Sequence, residues 1–247
     1  MSGFLAIFKR ELRSFWVTPL AWVLLVVFLL LQGISFHLTV EHFAKFTTLS
    51  VDLGPIQGYF SSPFIPLSLL LVCPALPMRL FAEERRSGTM DSLLSAPVSA
   101  TSLVFGKYLA TFLTYGLMWL PTLLYVVILR NVSAVDWATV GSSYLAVLAI
   151  GGSYLAVGTV ASAMSKNQMT ALLLTLLVVF GLFLLGIGER VFEAGATQDL
   201  AAHVSMLAQM EELSKGIIDS RRLVFDFSIT GLALFFTVRI VDAWRWE

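Results

Sequence analysis

Ser14-Phe-Trp-Val-Thr-Pro-Leu-Ala-Trp-Val-Leu-Leu-Val-Val-Phe-Leu-Leu-Leu-Gln-Gly-Ile-Ser-Phe-His-Leu-Thr-Val40 runs for 27 residues without an Asp, Glu, Lys or Arg. About 20 mostly apolar residues carry an α-helix across a bilayer, and a charge at the centre of such a helix costs about 2.5 to 3.5 kcal/mol. The stretch is long enough to span, and gaps between charges mark the other spans. Leu53–Met78, Tyr108–Leu129, Trp137–Ser165 and Asn167–Gly188 are uncharged in the same way. A sixth, Leu223–Val238, is broken only by Asp226 near one end, where the carboxylate is expected to reach the interface or Arg222 one turn earlier. The pattern predicts an all-α polytopic membrane protein, one domain over residues 1–247, with spans at about 18–38, 60–78, 104–129, 138–163, 168–188 and 223–240.

Composition agrees. Of 247 residues, 57% are apolar and 13% charged, against roughly 25% charged in an ordinary soluble domain. A water-soluble chain of this size leaves about 30% of its surface exposed; here that surface would be aliphatic and aromatic, and it would aggregate. Sixteen Lys and Arg balance sixteen Asp and Glu, so no net charge points to nucleic acid. Cys73 is the single cysteine, which excludes an intrachain disulfide.

Six spans put both termini on one side. That side collects Lys9, Arg10, Arg13, Arg79, Arg85, Arg86, Lys107, Lys166, Arg239 and Arg245, against Lys45, Arg130, Arg190, Lys215, Arg221 and Arg222 on the other. The bias predicts cytoplasmic termini. A cleaved signal peptide does not fit the start, since its apolar core would be about 7 to 15 residues followed by an Ala-x-Ala site.

Between the spans, Phe4, Phe8, Leu12 and Phe15 recur at helical spacing opposite Lys9, Arg10 and Arg13, which predicts an amphipathic interface helix over residues 3–16, broken from the first span near Pro19. In the segment 79–100, the charged stretch Glu83-Glu84-Arg85-Arg86 leads to a breaker at Gly88 and then to a two-turn pattern, capped by Thr89, in which Met90, Leu93 and Leu94 share one face. A helix so short needs something to dock on, either headgroups or a soluble partner. Pro74 and Pro77 should kink the end of the second span just before it; with Gly88 they form a candidate hinge. Gly152, Ala156, Gly158, Thr159, Ser162 and Ala163 give the fourth span a small-residue surface for close packing. The long segment 189–222, with Val204, Leu207, Ala208 and Met210 ahead of Glu211, Glu212 and Lys215, predicts one or two amphipathic helices on the outer side.

Catalytic patterns are missing. Gly106-Lys107 lacks the upstream glycine of a phosphate loop, and His37, Glu41 and His42 have one residue too many for H-x-x-E-H. No metal site, cofactor motif or catalytic constellation is predicted in the chain.

The run Met78-Arg-Leu-Phe-Ala-Glu-Glu-Arg-Arg-Ser-Gly-Thr89, with Leu93-Leu-Ser-Ala-Pro-Val-Ser99 and Gly106-Lys107, resembles the segment after the second span of bacterial ABC-2-type transporter permeases, most of all the gliding-motility-associated subgroup. Lys9-Arg10-Glu11-Leu12, Lys166-Asn167-Gln168 and Lys215-Gly-Ile-Ile-Asp219 extend the likeness. The resemblance implies a non-catalytic subunit of the bacterial inner membrane. It implies two permease chains, identical or different, bound to two cytoplasmic ATPase subunits that hold ATP and Mg²⁺. It assigns residues 83–97 to the coupling helix, 3–16 to the interface helix and 189–222 to an outer re-entrant hairpin; Glu83, Glu84, Arg85, Arg86, Met90, Leu93 and Leu94 then face the ATPase. Two functions fit: export of a substrate, or mechanical signalling to a periplasmic partner through residues 38–62 and 189–222 without transport; the lack of charge in the spans disfavours an ion pathway and permits either a lipid-like cargo or none.

Overall fold

The computed structural model describes residues 3–45, 54–90, 98–131, 135–190 and 195–244. Among them the chain forms helices and 3-10 turns and no strand: α1 (Gly3–Val17), α2 (Pro19–Lys45), α3 (Pro55–Phe60), α4 (Phe64–Ala75), α5 (Ala82–Ser87), α6 (Ala100–Trp119), α7 (Leu123–Arg130), α8 (Trp137–Met164), α9 (Gln168–Ile187), α10 (Ala196–Val204), α11 (Met206–Ser214) and α12 (Ser220–Ala243). Six segments are long and apolar enough to cross a membrane: α2, the α4–α5 stretch, α6–α7, α8, α9 and α12. This is the all-α, polytopic fold the charge gaps predict.

Some boundaries move for local reasons. Pro19 sits at the start of α2, where its missing N–H costs nothing, and α1 stops at Val17. The first span runs on to Lys45, where Lys45 pairs with Glu41 one turn back. The second starts at Phe64, because residues 55–60 fold into α3, whose Tyr59 and Phe60 are buried in the bundle. In the third span Pro121 sits in a 3-10 turn between α6 and α7.

Two spans form the centre. In the second and the fourth, 72% of the most apolar window is buried, against 22–28% in the first, fifth and sixth. The fourth can sit there because it is nearly smooth. The Tyr115 ring occupies the space a Cβ on Gly151 would take, and the Pro77 ring does the same at Gly158. Most polar groups inside the bundle are satisfied, as a solvent without water requires, with Ser35 Oγ and Trp119 Nε1 as exceptions among the described residues: Gln32 donates to Ser68 (2.9 Å) and accepts from Tyr59 (2.7 Å), while Thr111, Thr114, Thr159, Thr175 and Thr237 donate to carbonyls four residues earlier.

The spans alternate in direction, so α1 and Trp244 meet at one end, and α3, α10 and α11 cover the other. Three expectations need correction. The buried stripe of α11 is Met206, Gln209, Met210 and Leu213, since Ser205 caps a new helix and resets the phase that the Val204, Leu207, Ala208 pattern assumed. Asp226 does not turn to Arg222: it accepts from Gln209 of α11 at 2.6 Å, and Arg222 forms a two-pronged pair with Glu212 at 2.7 Å while donating to the Ala202 carbonyl. Nor are the spans free of buried charge, for Lys107, Arg222 and Asp226 are all buried. Each lies toward a span end with partners supplied by a neighbouring helix.

Candidate functional site

The end of the bundle that carries both termini is built around a break in the second span. Pro74 lacks the N–H that would continue α4, the helix ends at Ala75, and a 3-10 turn at Pro77–Arg79 follows. The hydroxyl of Ser162 on α8 mends the break: it donates to the Met78 carbonyl (3.1 Å) and accepts from the backbone N–H groups of Phe81 (3.0 Å) and Ala82 (3.2 Å). The chain then resumes as α5, with Glu83 and Glu84 in its first turn and Arg85 and Arg86 in its last, the polarity that suits a helix dipole. It ends at Gly88, whose φ of +69° is left-handed and closes the helix with an N–H bond to the Glu84 carbonyl.

Lys107, in the second turn of α6 and 1% exposed, ties this segment to α1. Its ammonium lies 2.9 Å from Glu11, 3.0 Å from Glu84 and 2.7 Å from the Leu80 carbonyl, with the Phe81 ring beneath it. Arg10 bridges the same two carboxylates at 2.8 Å each. Two cations and two carboxylates thus cancel in a cluster spanning α1, α5 and α6. Burial pushes the Glu11 carboxyl up, but Lys107 and Arg10 outweigh it and hold the group below the ordinary carboxylate range. Arg79 stacks over Phe15 at 4.2 Å and donates to Thr18 at 2.7 Å, so α1 is held at both ends of its last two turns.

Of the residues singled out from the sequence, Glu83 reaches Gln168 at the start of α9, Glu84 joins the Lys107 cluster, and Arg85 donates to the Ala163 carbonyl (3.2 Å) and stacks on Trp244 (4.7 Å). Arg86 is exposed beside Met78, Asn167 and Gln168. Met90 was expected on a face offered outward; it is instead buried against this chain's own core. Leu93 and Leu94 lie outside the described residues. Pro74 and Pro77 are both buried, Pro77 seated in the notch at Gly158. On α1 the buried residues are Ile7 and Phe15, with Glu11 between them; Glu11, Phe4, Phe8 and Leu12 are half-buried, and Phe4 stacks on Phe8. Ile7 sets the phase because Gly106 lets it approach α6 closely.

Sequence reasoning missed Glu11, Lys107, Ser162 and Trp244 as members of the site. One signal was present. A lone Lys beside a Gly, set among Val104, Tyr108 and Thr111 in an apolar helix, needs a carboxylate from elsewhere, and Glu11 stands between apolar Ile7 and Phe15 on α1.

The profile of a family described as "ABC-2 family transporter protein" matches residues 32–207. The chain belongs to this family. The match takes in the span break, α5, Lys107 and Ser162, and leaves α1 and α12 outside it. No curated protein matches the sequence. The protein is therefore a membrane permease component of an ABC transporter, the family whose membrane components work with a cytoplasmic ABC ATPase and are not themselves the catalyst.

Proposed function

We propose that this permease converts ATP-driven movement of its ATPase partner into a change of tilt among its spans, and so moves a substrate across or within a bacterial inner membrane. The observation that carries the reading is the Lys107 cluster: it makes α1, α5 and the start of α6 one charged junction directly beside the break in the second span. Both termini and this junction face the cytoplasm, residues 83–97 receive the ATPase, and ATP and Mg²⁺ reside in that partner. Two permease chains, identical or different, complete the complex. Within the segment, Glu83, Glu84 and Arg85 hold the platform, Arg86 offers charge, and Leu93 and Leu94 supply the apolar anchor.

The motion has a defined seat. Ser162, Ala163 and Gly158 of the central α8 hold the break from behind, so displacement of α5 is taken up at Pro74, Pro77 and Gly88 rather than within α8. Moving a two-state equilibrium from 1:99 to 99:1 needs about 5.5 kcal/mol of differential interaction, a reasonable load for a junction with this many ionic contacts. Replacing Leu93 and Leu94 by Asp should abolish permease-stimulated ATPase activity while leaving membrane insertion intact; a variant that still stimulates would refute the assignment.

A second reading has an observation of its own. α12 runs from Trp244, packed on Phe81 and Arg85, to Arg222 and Asp226, which hold α11 and the end of α10. It is a strut from the junction to the outer hairpin and suits a complex that signals to a periplasmic partner without transport. With the complex in vesicles, ATP-dependent accumulation of cargo supports the first reading. A change in labelling of a cysteine at position 217 on ATP addition, with no accumulation of cargo, supports the second.

A further inference from the structure

The fifth and sixth spans both pack on α8 but leave an apolar groove of about 450 Å³ between them. Its walls are Val157 and Met164 of α8, Leu174 and Val178 of α9, and Phe225 and Phe236 of α12, with Ser228 as the one polar residue lining it. Phe225 to Phe236 covers about 16 Å at 1.5 Å per residue across the middle of α12 (Ser220–Ala243), about the length that one acyl chain contributes to the roughly 30 Å hydrocarbon core. At the mouth toward the chain termini stand Lys166, two residues beyond Met164, and Arg239, one turn beyond Phe236; both are exposed, and neither forms an ion pair with a described residue. We propose that this groove holds an acyl chain of an anionic glycerophospholipid from the leaflet on the side of the termini, with its phosphate between Lys166 and Arg239.

Two features favour a lipid over a second copy of the chain. The groove is about as long as one acyl chain and opens at the end where the two cations stand. A two-fold interface in a membrane, moreover, places like ends side by side, and would gather four unneutralised cations at this mouth, whereas a phosphate there answers two of them. The site goes beyond the coupling reading and does not depend on it.

The test uses the purified full-length permease in nanodiscs, without ATPase, so its failure is separate from failure of coupling. Leu232→Trp, an exposed position lining the groove, provides the reporter, read as the difference from the wild-type tryptophans. Brominated-chain phosphatidylglycerol, as a minor component in phosphatidylcholine, should quench it with about tenfold preference over brominated phosphatidylcholine at the same fraction, within what two cations near a headgroup supply. K166Q together with R239Q should remove the preference while leaving the elution profile unchanged, because both side chains are exposed. Equal quenching by the two lipids would overturn the headgroup assignment, and no quenching by either would show the groove covered by protein.

Discussion

A lysine buried among apolar helices is tolerated only while its charge is answered, and Lys107 has two carboxylates and a carbonyl within 3.0 Å. Removing it leaves Glu11 and Glu84 with only the half-exposed Arg10 to answer two largely buried carboxylates, and breaking a buried pair costs about 3 to 5 kcal/mol. Lys107→Met should therefore lower the melting temperature of the detergent-purified permease sharply, and adding Glu11→Gln and Glu84→Gln should recover part of the loss. A triple variant no better than the single one would place the cost elsewhere. The same cluster sets a pH dependence. Glu11 has its folded-state pKa depressed below the ordinary 4.5, so its stabilisation is complete above that value and is lost as the pH falls through the lower folded value. The stability advantage of wild type over Glu11→Gln should be full at neutral pH and shrink below about pH 4.5 in thermal scans. Little of this was legible residue by residue: the lone Lys in an apolar helix called for a carboxylate, but only the Gly106–Ile7 approach fixes which side of α1, and so Glu11, turns toward it.

At the scale of elements, the break in the second span was readable, because a proline's missing N–H acts locally. What mends it was not, since Ser162 is some 80 residues away and is one of many small residues in its span. The close fit of Pro77 against Gly158 gives a direct probe. A methyl at Gly158 overlaps the ring, and overpacking of this kind costs about 1 to 3 kcal/mol. Gly158→Ala should lower the melting temperature accordingly, and in the ATPase complex it should reduce coupling by more than Gly141→Ala, where a Cβ meets open space. Equal effects at the two glycines would remove the break from the mechanism. The α10–α11 segment shows the limit of periodicity: its apolar residues were visible as a set, but the cap at Ser205 restarts the phase and changes which of them are buried.

For the whole molecule, the number of spans followed from the spacing of charges alone, because bilayer thickness is an external ruler that acts on each helix separately. The arrangement of those spans came from contacts that no single segment encodes, with α4 and α8 central and α2, α9 and α12 outside them. Alternation of the spans makes a clean prediction in a background that already suits it, since Cys73 is fully buried. Cysteines placed at Ser87 and Ile217, both exposed, should react with a membrane-impermeant thiol reagent from opposite faces of the bilayer. Labelling of both from one face would break the bundle as described.

The Arg85–Trp244 stack carries a consequence for biosynthesis. The chain leaves the ribosome from its first helix onward, so α5 emerges long before the indole that caps it. Until the sixth span has been threaded into the membrane, the surface around Phe81 and Arg85 lacks its cover. If α5 is the ATPase seat proposed above, a permease truncated before α12 should recruit less of its motor than one with all six spans in place.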